Sequence, residues 1–389
     1  MSRPTESAAD LGLLSPVWAG TVAEAMTSDA QVVGAMTRFE VAVARALADH
    51  GLTPRVAVGE PDIDVRRLAL DATASGNPTV PLVAALRRGL TESDASALHH
   101  GVTSQDVVDS ALMMVSSSVL SQVDSDLVVL AERLSRVADA RRDVPCVART
   151  LTQQAMPTTL GFRAAGWLAG VHDALLTVRS CRPLPVSLGG PVGTAAAFGA
   201  SWPAVVSSVA ERLNLAAPVT SWHTRRAPVL ALAGALAAVG EACGRVCADL
   251  LLMAQTEVAE ASDGSGGASS AMAHKANPTR AVLVASAAQQ LPFMLASVAS
   301  SGAAGSERPP GAWHAEWQPL RSMLRLAGAA AERTCRLADD MTFDEAAMKR
   351  NLDRLVDTVG EGPEWVAAQT AHVDVWIDRV LAQHERVVG

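Results

Sequence analysis

Long apolar stretches with helical spacing constrain the fold of this chain more than any other feature. From Asp106 to about Asp143 the sequence keeps one unbroken helical pattern. Similar runs follow Pro157, extend from Pro228 to about Glu260, follow Pro278 and cover roughly residues 314–339. Several of them exceed the usual globular helix of about 11–12 residues. Helices of this length with wide apolar stripes bury themselves against one another, so the pattern predicts a helix bundle.

The composition supports an all-α fold. Hydrophobic residues make up 49% of the 389 residues, but aromatic residues only 3%, and Tyr is absent. Ala and Leu favour helices, whereas β-sandwiches and barrels favour aromatic and β-branched residues. The formal net charge of −8 argues against nucleic acid as a partner, because phosphate binding requires a basic surface.

Three further features predict a soluble cytoplasmic protein. Residues 186–210 and 281–306 are long and uncharged, but Gly, Pro and Gln interrupt them, so we expect interior segments rather than membrane helices. The N-terminal stretch lacks the apolar segment of a signal peptide. The five cysteines are scattered and odd in number, which does not suggest a disulfide framework. Cys243 and Cys247 are interpreted as buried apolar residues, not metal ligands.

Polar residues concentrate in three loops that precede helical runs: loop 1 (residues 99–106), loop 2 (149–159) and loop 3 (264–278). Each has a purely structural interpretation. Thr103 and Asp106 have the spacing of a capping box, and Asn277-Pro278 has the form of an N-cap followed by the first helical residue. Loop 3 nevertheless contains two serines, a lysine and an asparagine within nine positions, more than capping requires.

Hydroxyl, amide and ammonium groups at helix starts are suited to binding anions. Three such loops match a substrate with several carboxylates. Moving a proton on the carbon next to a carboxylate passes through a doubly charged aci-carboxylate, which needs preorganised donors and a cation. Lys275 and helix N-terminal amides supply a positive field that stabilises a serine alkoxide as a base.

At these residues the chain resembles the fumarase/aspartase superfamily. Residues 269–278, SSAMAHKANP, resemble the signature G-S-S-x-M-P-x-K-x-N-P; residues 99–106 resemble H-x-G-x-T-S-x-D; and residues 149–159 resemble R-T-x-x-Q-x-A-x-P-T-T. Within the superfamily the resemblance is closest to the 3-carboxy-cis,cis-muconate cycloisomerases and covers roughly residues 10–355. It includes LGGPVGTAAAFG at 188–199, SWHTRR at 221–226 and GAWHAEWQPL at 311–320. Leu151 stands where the adenylosuccinate lyase branch has a histidine.

The resemblance implies an all-α homotetramer with a central helical core and active sites shared among subunits. It implies an N-terminal helical domain over 1–105, the long-helix bundle over 106–345 and a shortened C-terminal segment over 346–389. Ser269 and Lys275 are the implied catalytic residues. The implied substrate-binding residues are His99, Thr103, Ser104, Thr150, Gln153, Ser270, Met272, Asn277 and Arg308. Neither a metal nor an organic cofactor is implied, and the implied partners are a small polycarboxylate and further copies of the chain.

The implied reaction is the cyclisation of 3-carboxy-cis,cis-muconate to 4-carboxymuconolactone in aromatic-acid breakdown. Two alternatives remain: a lyase of the same superfamily that releases fumarate from an amino- or nitro-succinyl compound, and a scaffold that has lost activity. Ala268 and Ala273, where the signature has Gly and Pro, motivate the scaffold alternative, as does the short C-terminal segment. His223 is interpreted first as a structural residue and second as a catalytic one.

Replacing Ser269 by Ala is expected to lower kcat by orders of magnitude without unfolding the protein, because the variant loses the group assigned to the carbon-bound proton. Steady-state kinetics on the first substrate shown to be turned over, with circular dichroism as the folding control, tests this. Near-normal turnover would exclude the assigned role.

Overall fold

The structure, a computed structural model, describes residues 12–58, 62–267, 272, 275–303 and 305–389. Its helices are α1 Val22–Met26, α2 Asp29–Asp49, α3 Val65–Ser75, α4 Thr79–Arg87, α5 Glu92–Ala97, α6 Ser104–Ala140, α7 Leu160–Ser180, α8 Trp202–Leu213, α9 Ala227–Met253, α10 Thr279–Ser300, α11 Ala312–Asp340, α12 Glu345–Val359, α13 Pro363–Thr370 and α14 Val373–Val388. A short 3₁₀ helix spans Ala196–Ser201. The strands are β1 Pro145–Thr150, β2 Gln153–Thr159, β3 Ala261–Ser262 and β4 Thr342–Phe343. The predicted helix-bundle fold is confirmed.

Helices α6, α7, α9, α10 and α11 form the bundle, with α6, α9 and α11 pointing one way. Near their starts, Arg226 joins Asp109 of α6 to Glu316 of α11. We call this the lower end of the bundle. At the upper end, where these three helices finish, β3 pairs with β4 and Arg280 contacts Asp340. Helices α7 and α10 run back down between them, so the chain alternates between the two ends.

Close packing of small residues brings α9 and α10 together. A Cβ added at Gly244 would lie 2.5 Å from Cβ of Ala288, so these backbones approach closely only because Gly is present. By length and apolar composition alone, α6, α9 and α10 could each cross a membrane. Here α9 and α10 pack against each other, and α6 packs against α7 and α11 in the same bundle. Cys243 and Cys247 on α9 are fully buried, as expected.

The flanking helices cover the two ends of the bundle. α2 packs along α6, and buried α2 residues such as Phe39 and Leu47 belong to the same apolar core as α6. At the other end of the chain, α12 packs on the β1–β2 hairpin and α14 packs on α7 and α6. The domain division given above stays a prediction.

Local structure departs from the sequence pattern in two places. The pattern continued α9 to about Glu260, but the helix ends at Met253, and the released segment carries Glu260 into an ion pair with Arg149. The second is a strand: residues 157–159 belong to β2, and the helical run predicted to follow Pro157 starts at Leu160 with Thr159 as its N-cap. An ion pair accompanies the first departure, and backbone pairing of β2 with β1 accompanies the second.

Two stacked histidines, one of them buried, join α14 to the bundle. His172 of α7 is fully buried, and its Nε2 lies 3.2 Å from Nδ1 of His384. Burial, together with the neighbouring imidazole, lowers the pKa of His172 to about 4. The unfolded chain therefore takes up a proton near pH 6.5, before the folded chain does. The stability that comes from the neutral ring is complete above that pH and is lost as the pH falls toward 4.

Replacing His172 by Gln is expected to remove this pH dependence. Between pH 7 and pH 4.5 the free energy of unfolding of the wild type should fall by roughly 2–3 kcal/mol more than that of the variant. Denaturant unfolding over a pH series measures the difference. His50→Gln, at an exposed histidine after α2, is the control and should follow the wild type. Parallel curves for wild type and His172→Gln would contradict the assignment.

Candidate functional site

A buried carboxylate, Asp106, organises the lower end of the bundle. Its Oδ2 accepts hydrogen bonds from the backbone N–H groups of Thr103 at 3.0 Å and Gly190 at 2.9 Å. Its Oδ1 accepts from Gly189 N–H at 2.8 Å and lies 2.6 Å from Nε2 of His223. The bond from Thr103 is the predicted capping interaction. Because donors from three separate segments converge on one side chain, Asp106 ties loop 1 to residues 189–190 and to the segment around His223.

A second buried cluster lies one helical turn further along α6. Arg226 donates to both oxygens of Asp109, at 2.7 and 3.1 Å, and to Glu316. Trp313 donates its indole N–H to Asp109 at 2.9 Å. Burial lowers the pKa of Arg226, but the two carboxylates outweigh it and the net shift is upward, so this cation is permanent. Burial raises the pKa of the Glu316 carboxyl, although the neighbouring Arg226 acts in the opposite direction. This cluster fixes the starts of α6, α9 and α11 relative to one another.

Arg308 presents a cation beside loop 1. Its Nη2 donates to Thr103 Oγ1 at 2.9 Å and to the carbonyl of Pro191 at 3.1 Å, and its Nε donates to Gln105 Oε1 at 3.2 Å. All three acceptors are neutral, and the residue is exposed. Within the described part of the chain no carboxylate pairs with this guanidinium. The structure thus brings two predicted substrate-binding residues, Thr103 and Arg308, into one hydroxyl–guanidinium pair suited to a carboxylate.

The other predicted residues of loop 1 have structural contacts. His99 adopts a left-handed backbone conformation, and its Nδ1 lies 2.7 Å from Oε1 of the buried Glu40. Its backbone N–H donates to the second oxygen of the same carboxylate. Ser104 is the first residue of α6, and its carbonyl lies 3.4 Å from the Thr79 hydroxyl. Substrate contact by His99 and Ser104 stays a prediction.

Loop 2 is a β-hairpin at the upper end. Leu151 and Thr152 form its two-residue turn with positive φ angles of 51° and 71°, and Leu151 is 96% exposed. The predicted residues Thr150 and Gln153 flank this turn and are exposed. Below the turn, Arg149 binds Glu260 through two bonds of 3.1 and 3.0 Å. The hairpin therefore presents its tip outward from a base that is anchored to the chain entering loop 3.

Loop 3 also lies at the upper end, and its base is closed by two backbone bonds between Gly267 and Asn277. The prediction that Asn277 is the N-cap of α10 was wrong, because Pro278 occupies the N-cap position. Asp263 provides the cap instead, and its Oδ2 accepts from the N–H groups of Arg280 and Ala281. These helix-start amides, which were expected to receive an anion, are therefore occupied by the chain's own carboxylate.

The predicted catalytic residues of loop 3 are only partly described. Ser269 and Ser270 lie outside the described residues. Lys275 and Met272 are exposed on the span between Gly267 and Asn277. A cavity of about 380 Å³ lies beside this span and includes Asn277 in its lining. A larger groove of about 1030 Å³, between α2 and α8, includes none of the predicted site residues.

One chain cannot bring its predicted site residues together. Thr103 is the N-cap of α6, whose 37 residues separate it from the β1–β2 hairpin by about 55 Å at 1.5 Å per residue. Loop 3 follows the end of α9, and Arg308 lies between α10 and the start of α11. Thr103 and Arg308 thus share the lower end, while Thr150, Gln153, Lys275 and Asn277 lie at the upper end.

Comparison with known proteins identifies the family to which this chain belongs. The sequence profile of a protein family described as lyase matches residues 73–292, more than half of the chain. The chain belongs to the fumarase/aspartase superfamily of lyases. A curated relative, nitrosuccinate lyase from Streptomyces davaonensis, is 39% identical over 91% of this lyase and 79% of its own length. The 3-carboxy-cis,cis-muconate cycloisomerase of Bradyrhizobium diazoefficiens is 35% identical over 88% and 79%.

Solved structures agree with the bundle found here. The 3-carboxy-cis,cis-muconate lactonizing enzyme from Pseudomonas putida superposes on this lyase with a TM-score of 0.85 at 28% identity, covering 97% of this chain and 100% of that one. A fumarate lyase from a Mesorhizobium species superposes with a TM-score of 0.78 at 23% identity, which supports the fold.

Sequence reasoning missed the central residue of the lower end. Asp106 was recognised only as a capping residue, and His223 was interpreted first as structural. The signal available was that SWHTRR and LGGPVG, two of the matching stretches, carry the His and the glycines that contact Asp106. The spacing of residues along the sequence does not show which of them meet across the bundle.

Replacing Arg308 by Gln is expected to weaken binding of a small polycarboxylate about 10–100-fold, because the charge-assisted bond to a carboxylate is lost. The thermal stability should stay unchanged, because Arg308 is exposed. Calorimetric titration with propane-1,2,3-tricarboxylate measures the affinity. Arg66→Gln, at an exposed arginine of α3, is the matched control. Equal affinities for wild type and Arg308→Gln would remove Arg308 from the site.

Proposed function

We propose that this lyase is a cycloisomerase that converts 3-carboxy-cis,cis-muconate to 4-carboxymuconolactone in the cytoplasm, at sites assembled from different subunits of a homotetramer. The observation that carries the proposal is the separation of two complementary half-sites. The lower end offers a hydroxyl–guanidinium pair for a carboxylate, and the upper end offers loop 3 with Ser269 and Lys275. Only a neighbouring chain running in the opposite direction can bring these two ends together.

Exposed apolar surface on the bundle supports such an assembly. In the most apolar stretch of α10 only 28% of residues are buried. Phe293 is 79% exposed and Val282 49%, and on α9 Leu230 is 44% exposed. A soluble protein rarely leaves a long apolar helix uncovered. Packing the same helices of further copies against this surface would bury it and set loops from different chains side by side.

In the proposed reaction the protein supplies electrostatic stabilisation and proton transfer. Thr103 and Arg308 of one subunit bind a carboxylate of the substrate. An oxygen of a second substrate carboxylate adds to one carbon of the conjugated double bond. The electron pair of that double bond moves onto the carboxylate conjugated with it, which becomes a doubly charged aci-carboxylate. Lys275 and Asn277 of another subunit stabilise that dianion, with Thr150 and Gln153 of a third completing the pocket. Ser269 then transfers its hydroxyl proton to the carbanionic carbon, which completes the lactone, and the serine alkoxide regains a proton from water.

A second candidate reaction is the elimination of nitrite from nitrosuccinate. It is favoured by the 39% identity to nitrosuccinate lyase. The two reactions share one step, a proton moving at the carbon beside a carboxylate while a group adds or leaves at the next carbon. In nitrosuccinate that carbon loses nitrite, so that the C–N bond electrons leave with the nitro group and fumarate forms. The same half-sites serve both reactions.

Ultraviolet assays of the purified protein decide between the two. We expect loss of the muconate chromophore with 3-carboxy-cis,cis-muconate. Fumarate and nitrite formation from nitrosuccinate, with the muconate unchanged, would assign the second reaction instead. Activity on neither compound would contradict both.

Mixing inactive variants tests whether sites are shared between chains. Ser269→Ala affects the upper end and Arg308→Gln the lower end, so mixed assemblies of the two should regain up to about a quarter of wild-type activity at low substrate concentration, because each half of a site is wild type in half of the cases. A mixture of Ser269→Ala with Lys275→Met is the control: both changes lie in loop 3, so no complete site forms. Equal recovery in both mixtures, or recovery in neither, would contradict sharing of the proposed kind.

A further inference from the structure

His223 lies next to the carboxylate-binding pair but does not face it. Its side chain is 4% exposed, and its Nε2 is 2.6 Å from Asp106 Oδ1, the shortest contact that this carboxylate makes. An ionised carboxylate only accepts hydrogen bonds, so the imidazole donates from Nε2. In the neutral ring Nδ1 is then an acceptor. It is buried without a hydrogen-bond partner.

Nδ1 is buried, and two glycines lie beside the ring. A Cβ built on Gly193 would lie 3.9 Å from Nδ1, and one built on Gly189 would lie 3.1 Å from Cε1 of the same ring, so side chains larger than Gly would crowd the imidazole. A proton donor or acceptor must reach the atom that it serves. Nδ1 is buried and Nε2 is engaged by Asp106, so neither ring nitrogen is exposed for direct proton transfer to a substrate.

The effect of His223 therefore passes through Asp106. That carboxylate holds Thr103 through its backbone N–H and holds residues 189–190 in the same way. Arg308 in turn donates to the Thr103 hydroxyl and to the carbonyl of Pro191, the residue that follows Gly190. Two of the three acceptors that orient the guanidinium thus lie on segments that Asp106 fixes, and the third, Gln105 Oε1, belongs to the residue that precedes Asp106. The imidazole is the nearest side-chain donor that sets the orientation of the carboxylate, since the Ser187 hydroxyl lies 3.4 Å away.

We infer that His223 is a positioning residue: by donating to Asp106 it sets the geometry of the Thr103–Arg308 pair and hence the affinity for a substrate carboxylate. This inference rests on the proposed function only in taking that pair as the carboxylate site. It separates His223 from the proton-transfer step, which belongs to loop 3.

Two amide variants test the inference. In His223→Gln the side-chain nitrogen reaches the place of imidazole Nε2 and keeps the bond to Asp106. In His223→Asn the nitrogen takes the place of Nδ1 and the bond is lost. Both are uncharged and unable to relay a proton. His172→Asn, at the buried histidine between α7 and α14, controls for the general effect of shortening a buried imidazole.

Three readouts are compared: the dissociation constant of propane-1,2,3-tricarboxylate, KM and kcat for the substrate that is turned over, and amide hydrogen exchange in peptides covering residues 99–106 and 187–193. His223→Asn should raise the dissociation constant and KM about tenfold or more, change kcat by less than about threefold, and accelerate exchange in both peptides. His223→Gln should stay close to the wild type in all three readouts. His172→Asn should leave all three unchanged.

Two results would overturn the inference. If both His223 variants lose kcat by a similar large factor while KM is kept, the imidazole itself transfers a proton. If His223→Asn behaves as the wild type, the bond to Asp106 positions nothing. A wild-type protein inactive on both candidate substrates would refute the proposed reaction, yet hydrogen exchange would still decide the role of His223.

Discussion

The length of α6 is the constraint on which the organisation of this lyase depends. A helix of 37 residues is rigid on the scale of a substrate, and it holds loop 1 and the β1–β2 hairpin at opposite ends of the bundle. The alternating direction of α6, α7, α9, α10 and α11 then sorts every polar segment to one end or the other. In the proposed assembly, polar groups from opposite ends of two chains come together because the two bundles pack in opposite directions. The length of α6 thus determines at which end of the bundle each of these polar segments lies.

Buried charged side chains hold the segments at the lower end of the bundle in place. Asp106 is fully buried and is satisfied by three backbone N–H groups and one imidazole, while Asp109 and Glu316 share the guanidinium of Arg226. Removing a partner from such a network leaves a desolvated charge, which is costly, so the network permits few alternative arrangements. Among the described residues, its surface neighbour Arg308 donates only to neutral acceptors. Paired charges inside the bundle thus hold the scaffold, whereas the cation proposed to bind a carboxylate lies at its rim.

The sequence predicted the parts of the fold that depend on local periodicity. The long runs became α6, α9, α10 and α11, because a 3.6-residue apolar pattern is read within a single segment. It did not predict the hairpin: Leu151 and Thr152 adopt positive φ angles without the Gly or Asn that normally marks such a turn. The end of α9 was misplaced because Glu260 is drawn away by Arg149, which is 111 residues distant. For the candidate site, family resemblance suggested Thr103 and Arg308, which the structure brings into contact. The convergence of Gly189 and His223 on Asp106 joins residues more than 80 positions apart and leaves no periodic pattern in the sequence.

The exposed apolar face of α10 has a consequence for how this protein is made. Before the proposed assembly forms, a folded single chain exposes Phe293 and Val282 to water, so its solubility would depend on the concentration of further copies. A chaperone that recognises exposed apolar side chains would meet this helix face first, in the interval before other copies cover it.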